Sequence, residues 1–82
     1  MARHRFEVEL KERDYLELLK HAPRDEPVTV RLVAAEHVPG RQGGVFIFRG
    51  SRADGMTLRL LAMLHAPGAL ARIEKRLEEA TS

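Results

Sequence analysis

Cysteine is absent from the 82 residues, which removes disulfides, thiolate metal ligands and cysteine nucleophiles together. A chain without disulfides suits a reducing compartment, and cytoplasm is the expected location. Tryptophan and asparagine are also absent, and glutamine occurs once, as Gln42. Few thermolabile amides with many arginines and glutamates is a pattern of heat-adapted proteins, although a GC-rich genome produces the same bias. Long apolar runs are missing. The longest is Leu60 to Leu64, far short of a membrane span. Met1 to Glu7 mixes charge with alternation and carries none of the apolar stretch of a secretory leader, so a soluble chain is expected.

Charge of one sign is scarce as well. Fourteen basic residues face twelve acidic ones for a formal charge of +2, and the pI near 9.5 reflects arginine outnumbering lysine eleven to three. Nucleic-acid binding calls for a clustered basic face rather than a small total excess. The length predicts one domain over 1–82. A chain this short buries only roughly 60% of its unfolded surface, and self-association is one way to add to that.

Arg5 to Leu10 alternates with period two, predicting a strand with Phe6, Val8 and Leu10 on one face. Tyr15, Leu18, Leu19 and Ala22 then follow helical spacing until Pro23. Val28 to Ala35 alternates again and predicts a second strand, with Val28, Val30, Leu32 and Ala34 inward. Pro39 to Gly44 is a glycine-rich loop that leads into the apolar strand Val45 to Phe48. Gly50 to Gly55 predicts a turn; Thr57 to His65 has the composition of a helix, but the alternation of Leu58, Leu60, Ala62 and Leu64 reads as a fourth strand, with helix the alternative. Pro67 opens a last helix lined by Leu70, Ile73, Leu77 and Ala80. The expected fold is therefore α+β: a four-stranded mixed sheet in the order β-α-β-β-β-α, with two helices packed on one face.

That layout groups Val33, Val45, Ile47, Leu61 and Met63 on the open sheet face, a candidate oligomer interface. It gathers Arg3, Arg5, Arg24, Arg49 and Arg52 at one end, with Asp25, Glu26 and Asp54 offsetting much of that charge. Arg3, Arg5, Arg49 and Arg52 with Arg41 are the candidate contacts for an anion or for RNA. His4 and His21 are expected at that end, with His37 and His65 at the other. A zinc site needs about four converging ligands, so no metal is expected. Glu36 with His37 and His65 is the one acid–base group that can be assembled. Two of its members would stand roughly 10 Å apart across an intervening strand, and no catalytic residue is assigned.

Gly50-Ser51-Arg52-Ala53-Asp54-Gly55-Met56-Thr57 has the glycine and threonine spacing of a P-loop, but Met56 replaces the lysine that reaches the phosphates. Arg41 to Phe48 has the outline of an RNA-recognition strand, with Gly43 and Val45 where stacking aromatics belong. Leu60 to Leu77, through His65-Ala66-Pro67-Gly68, resembles the strand, Pro-Gly turn and helix of ACT-type regulatory domains. The resemblance implies a small ligand held near His65, Pro67 and Gly68 at a dimer interface; Ala66 departs from the acidic residue common there. The expected element order also looks like that of ribosome-hibernation factors. These readings favour a non-enzymatic interaction or regulatory module acting as a homo-oligomer, expected to be a dimer, with an RNA- or ribosome-associated protein as the alternative. No cofactor is expected.

Overall fold

The computed structural model describes residues 5–80. The fold is α+β: a three-stranded antiparallel sheet with four helices, all packed on one sheet face. Strand β1 (Arg5–Lys11) runs into helix α1 (Glu12–His21). A turn at Arg24 and Asp25 leads to α2 (Pro27–Val33), then to the short strand β2 (Glu36–Val38). Strand β3 (Val45–Ser51) enters α3 (Arg52–His65), and a 3-10 turn (Pro67–Ala69) enters α4 (Leu70–Ala80).

Strand β3 is central and both neighbours are antiparallel to it, in the order β1-β3-β2. Val8 lies opposite Phe48 and Leu10 opposite Phe46. The inward face therefore stacks Phe6, Val8, Leu10, Phe46 and Phe48 beneath the helices, and Phe6 meets Phe48 edge to face at 5.8 Å. Leu18, Val28, Leu32, Leu58, Ile73 and Leu77 close over them in one apolar cluster.

Two expected strands are helices. Residues 28–33 form α2 because Pro27 occupies the first helical position, where its fixed φ and missing N–H cost nothing. Val28 and Leu32, four apart, are buried, while Val30 is 62% exposed, so the apparent alternation was the i, i+4 face of a helix. The Tyr15 hydroxyl donates to the Leu32 carbonyl at 2.7 Å, a second donor to an oxygen in the last turn of α2 that also accepts from the Ala35 N–H at 3.1 Å. The phenol ring stacks on Phe46 at 3.9 Å, and burial raises its pKa above the ordinary value of 10.0.

Residues 57–65 belong to α3, and the expected turn at 50–55 is its N-terminus. The Ser51 side chain accepts from the Asp54 N–H, and the Asp54 carboxylate accepts from the Ser51 N–H, each at 3.0 Å. This reciprocal cap satisfies two backbone donors at once, and Arg31 of α2 lies 3.7 Å from the same carboxylate. Gly55 serves close packing inside the helix. A β-carbon there would stand 2.7 Å from the Phe6 ring and 3.0 Å from Leu77, so only glycine lets α3 settle onto β1 and α4. Two expected strands are lost and the short β2, which was not expected, is gained, so the sheet has three strands where four were expected, and the ACT-like segment begins with a helix instead of a strand.

The loop at 39–44 closes the β2–β3 hairpin. Gly43 and Gly44 both have left-handed φ, 85° and 79°, and a β-carbon on Gly44 would collide with the Val38 carbonyl at 2.2 Å. His37 stacks on Phe46 and contacts the Gly43 carbonyl through Nε2 at 3.0 Å, pinning the loop to the sheet.

Candidate interaction surfaces

The outer sheet face is set by register. It carries Arg5, Glu7, Glu9 and Lys11 from β1, Val45, Ile47 and Arg49 from β3, and Glu36 and Val38 from β2. Arg49 bridges both neighbouring strands. Its Nε donates to Glu7 at 3.0 Å and its Nη1 to Glu36 at 2.9 Å. Those hydrogen bonds, Glu36 first and Glu7 second, raise the pKa of the guanidinium. Cross-strand charge pairs of this kind suit a wet face.

The five residues expected to form one oligomer patch are dispersed. Val45 and Ile47 lie on the outer sheet face, half-buried beside Val38. Val33 ends α2, Leu61 is buried on the inner side of α3, and Met63 is exposed on the other side of that helix. The helical states of 28–33 and 57–65 are the cause, since they remove Val33, Leu61 and Met63 from the sheet altogether.

The candidate arginines separate in the same way. Arg3 lies outside the described residues. Arg5 opens β1 and Arg52 opens α3 at the end where Arg5 pairs with Ser51. Arg41 sits in the hairpin loop at the opposite end, and Arg49 is held between two glutamates. No continuous basic face results from these four.

His65, Pro67 and Gly68 fall at the exit from α3. Gly68 borders a broad open groove of about 700 Å³ that also involves Lys11, Arg13, Asp14 and Arg41, a lining of mixed sign. His65 stacks on His21 at 3.9 Å with nearly parallel rings, although the two were expected at opposite ends. A helical 57–65 carries His65 to the C-terminus of α1. Glu17 approaches His21 at 3.9 Å. Among the described residues no group of three or more histidine, aspartate or glutamate side chains could hold a metal ion, and no helix is long and apolar enough to cross a membrane.

The outer side of α3 was not anticipated. Met56, Leu60, Met63 and Leu64 are all exposed, Leu60 by 56% and Leu64 by 75%. Ala53, Met56, Leu60 and Met63 recur at spacings of three, four and three residues, the spacing of a helix seam that packs against another helix. Their signal was present in the sequence, but a strand assignment assigns alternate members to opposite faces.

A second unanticipated feature borders β1. Helix α4 lies over the β1 side of the sheet, and Arg72 Nη1 donates to the Glu9 backbone carbonyl at 3.2 Å. Glu9, Ala71, Arg72, Lys75, Arg76 and Glu79 line a groove of about 440 Å³ there. On the inner flank of α4, Glu74 pairs with Arg59 of α3 at 3.0 Å. Comparison with protein-family models, curated proteins and solved structures returns no match.

Proposed function

We propose that the protein is a non-enzymatic interaction module that acts as a homodimer, with the outer side of α3 as the shared surface. The observation that carries this reading is the exposed seam of Ala53, Met56, Leu60 and Met63 flanked by Leu64. An exposed apolar stripe on a small domain marks a contact surface. A two-fold axis through the middle of α3 sets the same stripe against itself, antiparallel, so the residues of one copy fill the gaps of the other. Methionine at two seam positions supplies flexible, polarizable side chains that adapt to such a joint.

Three polar side chains of the kinds used in catalysis have structural roles. Ser51 caps α3, Tyr15 closes α2, and His37 is seated on Phe46 against the hairpin loop. This favours a binding role over a chemical one.

The test is mass in solution by light scattering. The wild type is expected at about twice 9.3 kDa, and Leu60→Lys with Met63→Lys at the monomer mass with an unchanged circular dichroism spectrum. Ile47→Lys, on the sheet face, should leave the dimer intact. A wild type that stays monomeric at high concentration would overturn the reading, and dissociation by Ile47→Lys alone would move the interface to the sheet.

A further inference from the structure

The sheet order leaves β1 paired with β3 on one side and, among the described residues, with no strand on the other. Carbonyl and N–H directions alternate along a strand, so each residue addresses one neighbour only. Arg72 reaches the Glu9 carbonyl from α4, which identifies Glu9 as a residue addressing the open side. Arg5, Glu7 and Lys11 share its phase. The edge is seven residues long, enough for a full added strand, whereas β2 offers three. A long open edge is a template for pairing unless the protein blocks it. Among the described residues, the side chain seen bonded to that edge is the exposed Arg72, a group that can swing aside.

We propose that the β1 edge and the neighbouring flank of α4 take an extended acidic segment of a partner protein as an added strand. The backbone of that segment would pair with Glu7 and Glu9. Its alternate side chains would then fall in two rows. One row lies on the outer face beside Arg5, Glu7, Glu9 and Lys11. The other faces α4, where Arg72, Lys75 and Arg76 outnumber Glu79. Carboxylates at every second position satisfy that row, and Arg72, once released from Glu9, becomes a donor to one of them.

A second copy of β1 suits the edge poorly. Antiparallel self-pairing centred on Val8 sets Glu7 against Glu9 twice and Arg5 against Lys11 twice. Centring on Glu7 or Glu9 sets that glutamate against its own copy. Like charges directly opposite destabilise a strand pair, and the cationic flanks of two α4 helices would also face each other. The acidic strand is thus a different partner on a different surface from the α3 seam, and its failure would leave the dimer reading untouched.

The experiment uses the full chain and a fluorescein-labelled peptide of about ten residues alternating glutamate and threonine, read by anisotropy at low and physiological salt. The counterpart with lysine in place of glutamate should not bind. Added antiparallel to β1 with its glutamates facing α4, the peptide points its threonine amides at β1, so N-methylation of the threonines should weaken binding by at least about tenfold. N-methylation of the glutamates should leave it nearly unchanged. Arg72→Glu with Lys75→Glu should also weaken binding by about tenfold or more. Equal binding of the parent and both methylated peptides would reduce the effect to surface charge and overturn the proposal, as would no saturable binding of the parent at low salt. A rise in protein mass that is lost on adding the peptide would give the edge to a second copy, contrary to the proposal.

Discussion

On its inner side α3 presents Gly55, Leu58, Leu61 and Ala62 to the sheet and to its neighbouring helices; on its outer side it presents Met56, Leu60, Met63 and Leu64 to solvent. Both sides are apolar, so hydrophobicity alone does not separate them. Residue size and shape do. The inner side includes glycine and alanine where backbone must approach Phe6 and Leu77, which fixes one geometry. The outer side uses long side chains with free rotamers, which suits a joint made after folding. One helix thus carries a rigid contact and an adaptable one, a turn apart.

The sharpest way to break that comparison is at Leu58, fully buried beneath α3. Leu58→Ala should cost about 2–5 kcal/mol in urea unfolding; a loss no larger than that of an exposed leucine would mean the inner side is not the tighter one. Gly55→Ala should cost about 1–3 kcal/mol through overpacking against Phe6, even though alanine is the better helix former by about 1 kcal/mol. A stabilised Gly55→Ala protein would show that the helix can lift off the sheet freely.

Tyr15→Phe, on the helix pair beside α3, should cost about 1 kcal/mol through the lost bond to the Leu32 carbonyl. It also carries a pH signature. Burial raises the phenol's folded-state pKa above 10.0, so the folded protein holds that proton more tightly than the unfolded chain does. The resulting stability is complete below pH 10 and is lost as pH climbs through the folded value. Melting temperatures recorded from pH 9 upward should fall more steeply for wild type than for Tyr15→Phe. The smallest effect belongs to the outer side. Leu60→Lys, in samples dilute enough to be monomeric, should shift stability by no more than about 0.5 kcal/mol.

The parts of the fold that could be read from sequence are those where period and environment agree. Phe6, Val8 and Leu10 alternate with charged residues because one strand face is dry and the other wet. Ile73 and Leu77 mark α4 for the same reason at helical spacing. Residues 28–33 and 57–65 misled because positions i and i+4 share a face in a strand and in a helix alike. Val28 with Leu32, and Leu58 with Ala62, satisfy both periods. Valine and threonine then tipped the first segment toward strand, and tertiary burial overrode that preference. For α3 the decisive signal was legible in Ser51 and Asp54, whose three-residue spacing before an apolar run is a helix start. Strand β2 has no alternation to read, since all three of its residues are exposed. The candidate surfaces were hidden more deeply. The α3 seam followed from the helix assignment, and the β1 edge follows only from knowing that β1 pairs with β3.

Strand β1 is the first described element of the chain and finds its partner only when β3 is available, Arg5 meeting Ser51 and Lys11 meeting Val45; its cover, α4, is the last. Such non-local closure makes for high contact order and slow folding relative to a helical bundle of this size. During vectorial synthesis Phe6, Val8 and Leu10 would emerge before α4 and wait, uncovered, for it. A ribosome-stalled nascent chain ending before Ile73 should therefore remain protease-sensitive, and one extended far enough for Ala80 to emerge from the ribosome should become resistant.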